Sequence, residues 1–171
     1  MKYLSIDLEL KSYSGRGDAL QLKGQDVFFY GAHNIDGVRS LAKKLTQESH
    51  SQTYKTYRYI IGFSSRKEED ILTMIQITAQ LMPSPKELIF CSYPHERSWW
   101  PTAGSDLLLA DRTIHLLEKL KEKNFQFDYR FCQTPGNIFE SKQESPFKIK
   151  TVVFGSFFFV AYCKQLLAGQ S

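Results

Sequence analysis

At 171 residues, with 42% hydrophobic and 23% charged positions, the chain has the length of about one domain and enough apolar content to bury a layered core. Its 13 Phe, 9 Tyr and 2 Trp exclude the composition of a disordered segment. The excess of 22 Lys and Arg over 18 Asp and Glu gives a formal charge of +4, which suits a phosphate-bearing partner but is too small to point to nucleic acid.

Five runs rich in β-branched and aromatic residues predict strands over Val27–Tyr30, Tyr57–Phe63, Glu87–Tyr93, Phe125–Phe131 and Thr151–Phe154. The first continues through Gly31-Ala32-His33-Asn34 into a helix, delivering a histidine and an amide to a helix N-terminus, which is how open α/β sheets build a ligand edge. Helical spacing follows in Val38, Leu41, Ala42 and Leu45, then in Ile71, Leu72, Ile75, Ala79 and Met82, then in Leu108, Ile114, Leu117 and Leu120. Ser64–Asp70 places acidic residues in the first turn of the second helix and reads as a structural helix start. Strands alternating with helices imply crossover connections, and the nearly continuous apolar run Tyr59–Phe63 suits a strand covered on both faces. The expected class is therefore α/β, Rossmann-like, with a mostly parallel sheet and helices on both faces. Ser92–Ser105 and Gln133–Pro146 read as loops. At the end, Gly155 permits a tight turn and Ser156 caps a terminal apolar helix. No repeat or linker divides the chain, so residues 1–171 are expected to form a single domain.

Cys91, Cys132 and Cys163 are odd in number, widely spaced and free of any Cys-x-x-Cys pair, so they read as reduced thiols with no disulfide framework and no metal site. Acidic residues interrupt the first ten positions, and the longest apolar stretch, Val152–Cys163, is too short to span a bilayer. A cytoplasmic protein without membrane contact is expected.

Three places carry candidate chemistry. Arg16, in Ser14-Gly15-Arg16, offers a guanidinium that can neutralise phosphate oxygens, the alternative being a solvated side chain in a small-residue loop. His33, at a strand's carboxyl end, can stack on a base, hydrogen-bond a substrate or cap a turn. The loop from Cys91 to Pro101 mixes His95, Glu96, Arg97 and Ser98 with Trp99 and Trp100; Arg97 can pair with a carboxylate, while the tryptophans wall a pocket, meet a neighbouring domain or anchor the loop.

In order and spacing, Ser14-Gly15-Arg16, Gly31-Ala32-His33-Asn34, Asp36-Gly37, Gly62-Phe63, Arg97-Ser98 and Gly155-Ser156 resemble the C-terminal domain of folylpolyglutamate synthase and dihydrofolate synthase, in the Mur ligase superfamily. The resemblance spans about residues 12 to 167. It implies an ATP-dependent ligase that activates a carboxylate as an acyl phosphate, which the amine of glutamate attacks, with a folate or dihydropteroate as acceptor. It further implies that Arg16, His33 and Asn34 contact the nucleotide, that His33 is catalytic, and that His95, Arg97 and Ser98 position the amino acid. No Gly-x-x-x-x-Gly-Lys-Ser/Thr pattern occurs in the 171 residues, so ATP and Mg²⁺ would be held with a P-loop ATPase domain in the same or another chain. Two departures bear on this. Tyr30 stands where the family carries an aspartate that contacts the nucleotide, and Ile35 replaces a proline at the helix start. They leave open an alternative on the same fold, a non-catalytic binding or interaction module.

Overall fold

The computed structural model describes residues 17–22, 25–51, 53–94, 107–133, 135–140 and 148–168. Their elements run β1 (Asp18–Leu22), β2 (Gln25–Tyr30), α1 (Ile35–Ser49), β3 (Thr56–Gly62), α2 (Glu68–Leu81), β4 (Lys86–Cys91), α3 (Leu107–Glu122), β5 (Asp128–Cys132), α4 (Gly136–Glu140), β6 (Ile149–Gly155) and α5 (Phe157–Ala168). The strands form one sheet in the order β1-β2-β6-β3-β4-β5. All neighbours are parallel except β1, which pairs antiparallel with β2.

Period-two alternation sorts the side chains of each strand to opposite faces. Tyr59, Ile61, Leu88, Phe90, Val152 and Phe154 meet the apolar stripes of α1, α2 and α3. Phe29, Ile60, Ile89 and Val153 meet α4 and α5 through Ile138, Phe139, Phe159 and Val160. Both faces are covered, as the continuous apolar strands require, and the fold is α/β with a mostly parallel sheet.

Three expectations change. β1 was not foreseen, because Asp18–Gln21 is exposed and carries no apolar run; it is an edge strand that takes its register from β2. The stretch expected as a loop from Gln133 to Pro146 contains α4, whose Ile138 and Phe139 are buried against the α5 side. The fifth strand begins at Asp128 rather than Phe125. Asn124 adopts a left-handed conformation, φ 67°, that ends α3, and Phe127 turns into the core before the strand starts.

The turn out of β6 is fixed by two glycines. Gly155 has φ +123°, and a Cβ there would lie 2.2 Å from the Gly62 carbonyl oxygen. A Cβ on Gly62 would lie 2.3 Å from the Phe159 ring. Ser156 then donates its backbone N–H to Gly62 O at 2.6 Å and starts α5. Gly155→Ala should lower the urea unfolding free energy by about 3 kcal/mol or more, since it combines a forbidden φ with a backbone clash. A loss below about 1 kcal/mol would mean the turn relaxes.

Lys86 sits at the opposite end of the sheet, 5% exposed. Its Nζ donates to the carbonyls of Thr78 at 3.2 Å and Met82 at 2.8 Å, closing the C-terminal end of α2. Burial pulls its pKa down to about 8. Below that pH both folded and unfolded chains carry the ammonium, and its burial weighs fully against folding. From about 8 to the unfolded value of 10.5 the unfolded chain holds the extra proton, so this group adds stability as pH rises. The buried thiols of Cys91 and Cys163 and the Tyr30 phenol are pushed up by burial and act in the other direction. Lys86→Met removes only the first effect. Between about pH 7.5 and pH 10, the unfolding free energy of the wild type relative to Lys86→Met should rise by about 1 to 3 kcal/mol, and a flat difference would show that the ammonium is not desolvated.

Candidate functional site

The carboxyl ends of β2, β6 and β3 lie side by side, and each is followed by a short polar turn. Ligands of open α/β sheets bind outside the carboxyl ends of parallel strands. Here the three turns border a half-open cavity of about 240 Å³. His33 reaches it from β2, Ser64 and Arg66 from β3, and Ser156 and Phe157 from β6. The volume is below the range of about 300–1,000 Å³ that encloses a drug-sized ligand, so it fits a small molecule or one end of a larger one.

His33 is held on two sides. Its Nδ1 lies 2.8 Å from the Gly31 carbonyl oxygen, and its ring packs on Phe157 with centroids 4.3 Å apart at 42°. A carbonyl only accepts, so Nδ1 carries the proton in that bond, and Nε2 of the neutral ring keeps its lone pair. The imidazole is therefore oriented as an acceptor or base.

Ser156 is 3% exposed and caps α5, its Oγ accepting the Phe158 N–H at 3.2 Å. Ser64 donates to the same oxygen at 2.5 Å. Having given its proton there, Ser64 receives the one offered by the Tyr93 hydroxyl at 3.1 Å. Tyr93 is itself buried, with its ring 5.5 Å from that of Phe159. The chain of hydroxyls ties the ends of β3, β4 and β6 together.

Arg66 lies on the same wall, and its Nε is fully enclosed with no hydrogen-bond partner among the described residues. None of the described residues lining the cavity is acidic. The site is thus cationic, and Ser64, Arg66 and Ser156 are its unforeseen members. The sequence signal was present in their position: Ser156 directly follows the Gly155 that ends β6, Ser64 follows Gly62-Phe63 at the end of β3, and Arg66 lies two residues farther along the same turn.

Of the residues singled out from sequence, His33 lines this cavity. Asn34 is exposed, and its Oδ1 accepts the Gly37 N–H at 2.7 Å, capping α1. Tyr30 is 5% exposed and points to the α1–α3 side of the sheet; burial pushes its phenol up to about 12, and Lys44 Nζ lies 5.3 Å from its ring centroid. The position that holds an aspartate in the resembling family is here part of the core. Arg16, His95, Arg97 and Ser98, like the two tryptophans, lie outside the described residues. Among the described residues no three His, Cys, Asp or Glu side chains converge to hold a metal ion, and no helix is long and apolar enough to cross a membrane.

No protein-family model and no curated protein matches the chain. Solved structures do. Folylpolyglutamate synthase from Thermotoga maritima is similar with a TM-score of 0.60 and 22% identity over 92% of this chain and 31% of that enzyme. The bifunctional folylpolyglutamate synthase/dihydrofolate synthase of Yersinia pestis, complexed with AMPPNP and a manganese ion, gives 0.58 and 19% over 90% of this chain and 31% of its own. A UDP-N-acetylmuramoyl-L-alanyl-D-glutamate–2,6-diaminopimelate ligase gives 0.53 and 12% over 91% and 32%. The likeness is one of fold, and the chain spans about a third of the length of each neighbour.

The cap geometry makes Asn34 separable from the cavity. Asn34→Ala should lower the unfolding free energy by about 1 kcal/mol, while Asn34→Asp, which keeps the accepting oxygen, should stay near wild type in the same urea titration.

Proposed function

We propose that this chain is the C-terminal, glutamate- and nucleotide-contacting domain of an ATP-dependent carboxylate–amine ligase, adding glutamate to a folate or dihydropteroate. The observation that carries the reading is the cationic cavity at the carboxyl ends of β2, β6 and β3, with His33 oriented at its edge, in a fold whose solved neighbours are synthases and ligases of this kind. When bound, ATP and Mg²⁺ supply the activation of the acceptor carboxylate as an acyl phosphate. The donor set here suits the anionic side of that chemistry: a guanidinium, hydroxyls and a helix N-terminus, with no carboxylate among the described lining residues. In this reading the metal ligands and the phosphate-cradling loop are assigned to a P-loop partner, and neighbours about three times as long as this chain support the assignment.

In this reading His33 is the catalytic residue. Its Nδ1–H bond to Gly31 leaves Nε2 to take the proton that the ammonium group of glutamate must lose before its nitrogen attacks. Phe157 covers one face of the imidazole and limits its rotation. Arg16 and Asn34 are assigned to the nucleotide and His95, Arg97 and Ser98 to the amino acid, the roles that the family resemblance gives them. Tyr30 removes one acceptor from the nucleotide side, so affinity for ATP rests more heavily on the partner.

The test mixes the full chain with a P-loop domain from a folylpolyglutamate synthase, ATP, Mg²⁺, L-glutamate and a folate, and follows ADP release and the glutamylated product. Turnover should require both proteins, and His33→Ala should slow it by about 100-fold or more. ADP release that never exceeds that of the P-loop domain alone would overturn the ligase reading in favour of a binding module.

A further inference from the structure

We infer that Cys91 and Cys132 form a reversible disulfide site joining the carboxyl ends of β4 and β5, with a small-molecule disulfide such as oxidised glutathione as its oxidant. The inference is independent of the ligase reading, because it is drawn from the β4–β5 ladder and not from the cavity.

The first observation is register. Cys91 and Cys132 are direct partners in the parallel ladder of β4 and β5, and each is the last residue of its strand. Adjacent strands lie about 4.8 Å apart, within the span of about 4.4–6.8 Å that separates the Cα atoms of a disulfide. Period-two alternation turns both side chains to the α4–α5 face, where they join one apolar cluster. There the two thiols meet in a side-chain hydrogen bond. Forming the S–S bond asks for a small approach of two strand ends and no rearrangement of the fold.

The second observation is the asymmetry of the pair. Cys91 is 1% exposed, with its Sγ 3.9 Å from the Ile89 carbonyl oxygen. Burial pushes its thiol well above the ordinary value, which makes it a poor first nucleophile. Cys132 is half-buried and lies on the edge strand of the sheet. The order of events follows from this difference. Cys132 Sγ, as the thiolate, attacks one sulfur of the oxidant and expels the other as a thiolate, leaving a mixed disulfide. Cys91 then gives up its proton and attacks the Cys132 sulfur, and the second small thiol departs. Two protein thiols are oxidised to one disulfide, while one small-molecule disulfide is reduced to two thiols. Cys163 is buried in the same cluster, but it sits on α5, where no ladder holds it opposite either sulfur.

Strand spacing also makes the bond easy to undo. The spacing of about 4.8 Å exceeds the Cβ separation of about 3.8 Å that a disulfide prefers, so the linked form is strained and readily reduced. The junction leads on to the cavity. Ser92 donates its N–H to Cys132 O at 3.2 Å and its Oγ–H to Gln133 O at 2.9 Å, and the Tyr93 hydroxyl then reaches Ser64. Oxidation thus fixes the point from which Tyr93 supports the cavity wall.

The test incubates the full chain with oxidised glutathione, counts its thiols with a chromogenic disulfide reagent and maps linked peptides by mass spectrometry. Free thiols should fall from three to one, with Cys91 joined to Cys132, and dithiothreitol should restore all three. Cys163→Ala should form the same link, whereas Cys91→Ala should stop at a mixed disulfide on Cys132. Circular dichroism and the urea midpoint establish that each variant is folded. A wild-type chain that stops at a mixed disulfide, links either partner to Cys163, joins two chains or keeps all three thiols would overturn the site. A Cys91–Cys132 link that forms only in urea would overturn it as well.

Discussion

Everything at the carboxyl edge of the sheet hangs on the approach of two backbones, Gly62 at the end of β3 and Gly155 at the end of β6. Neither position has room for a Cβ, because the Gly62 carbonyl fills the space beside Gly155 and the Phe159 ring fills the space beside Gly62. That closeness lets the Ser156 N–H reach Gly62 O and starts α5 directly over the strand ends. Phe159, Val160 and Cys163 then drop into the core beneath, so the helix cannot shift without opening the α5 face of the sheet. The cavity is what remains between turns that are tightly held from below.

His33 and Ser156 at that cavity are both tied to the scaffold and both keep a capacity in reserve. His33 uses Nδ1 on Gly31 and keeps Nε2, and Ser156 uses its oxygen twice and keeps its proton. Arg66 is the extreme case, with its Nε enclosed and committed to nothing among the described residues. Orientation by one hydrogen bond with chemistry reserved at the other atom is the arrangement expected of a preorganised site. Elsewhere the charges are spent on structure: Arg58 and Arg130 both bind Glu87 across β3, β4 and β5, and Lys150 binds Glu48 at 2.6 Å. The contrast separates the cavity from the rest of the surface better than net charge does.

The sheet was legible because buried parallel strands leave long apolar runs, and all five expected strands exist with ends shifted by a few residues. The Gly155-Ser156 turn was legible as well, since only glycine tolerates that φ and serine is a preferred cap. β1 and α4 were not, one being exposed at an edge and the other a single short turn whose two apolar residues carry no period. At the site, His33 stood out because it follows an apolar strand directly. Arg66 did not: Glu68, Glu69 and Asp70 suit the first turn of α2, and that local explanation concealed the turn before it, although Lys67 at the N-cap supplies no capping hydrogen bond. Asn34 shows the converse, a residue of the motif whose oxygen goes to its own helix.

β6 has a further consequence for how the molecule comes to exist. It is inserted between β2 and β3, although more than a hundred residues separate Asp26 from its register partner Lys150. While the chain emerges from the ribosome, β2 and β3 have no ladder to share, and both present open edges until the last strand arrives. The sheet cannot close without β6, so the non-local pairing of that one strand completes the hydrophobic core and the ligand cleft together.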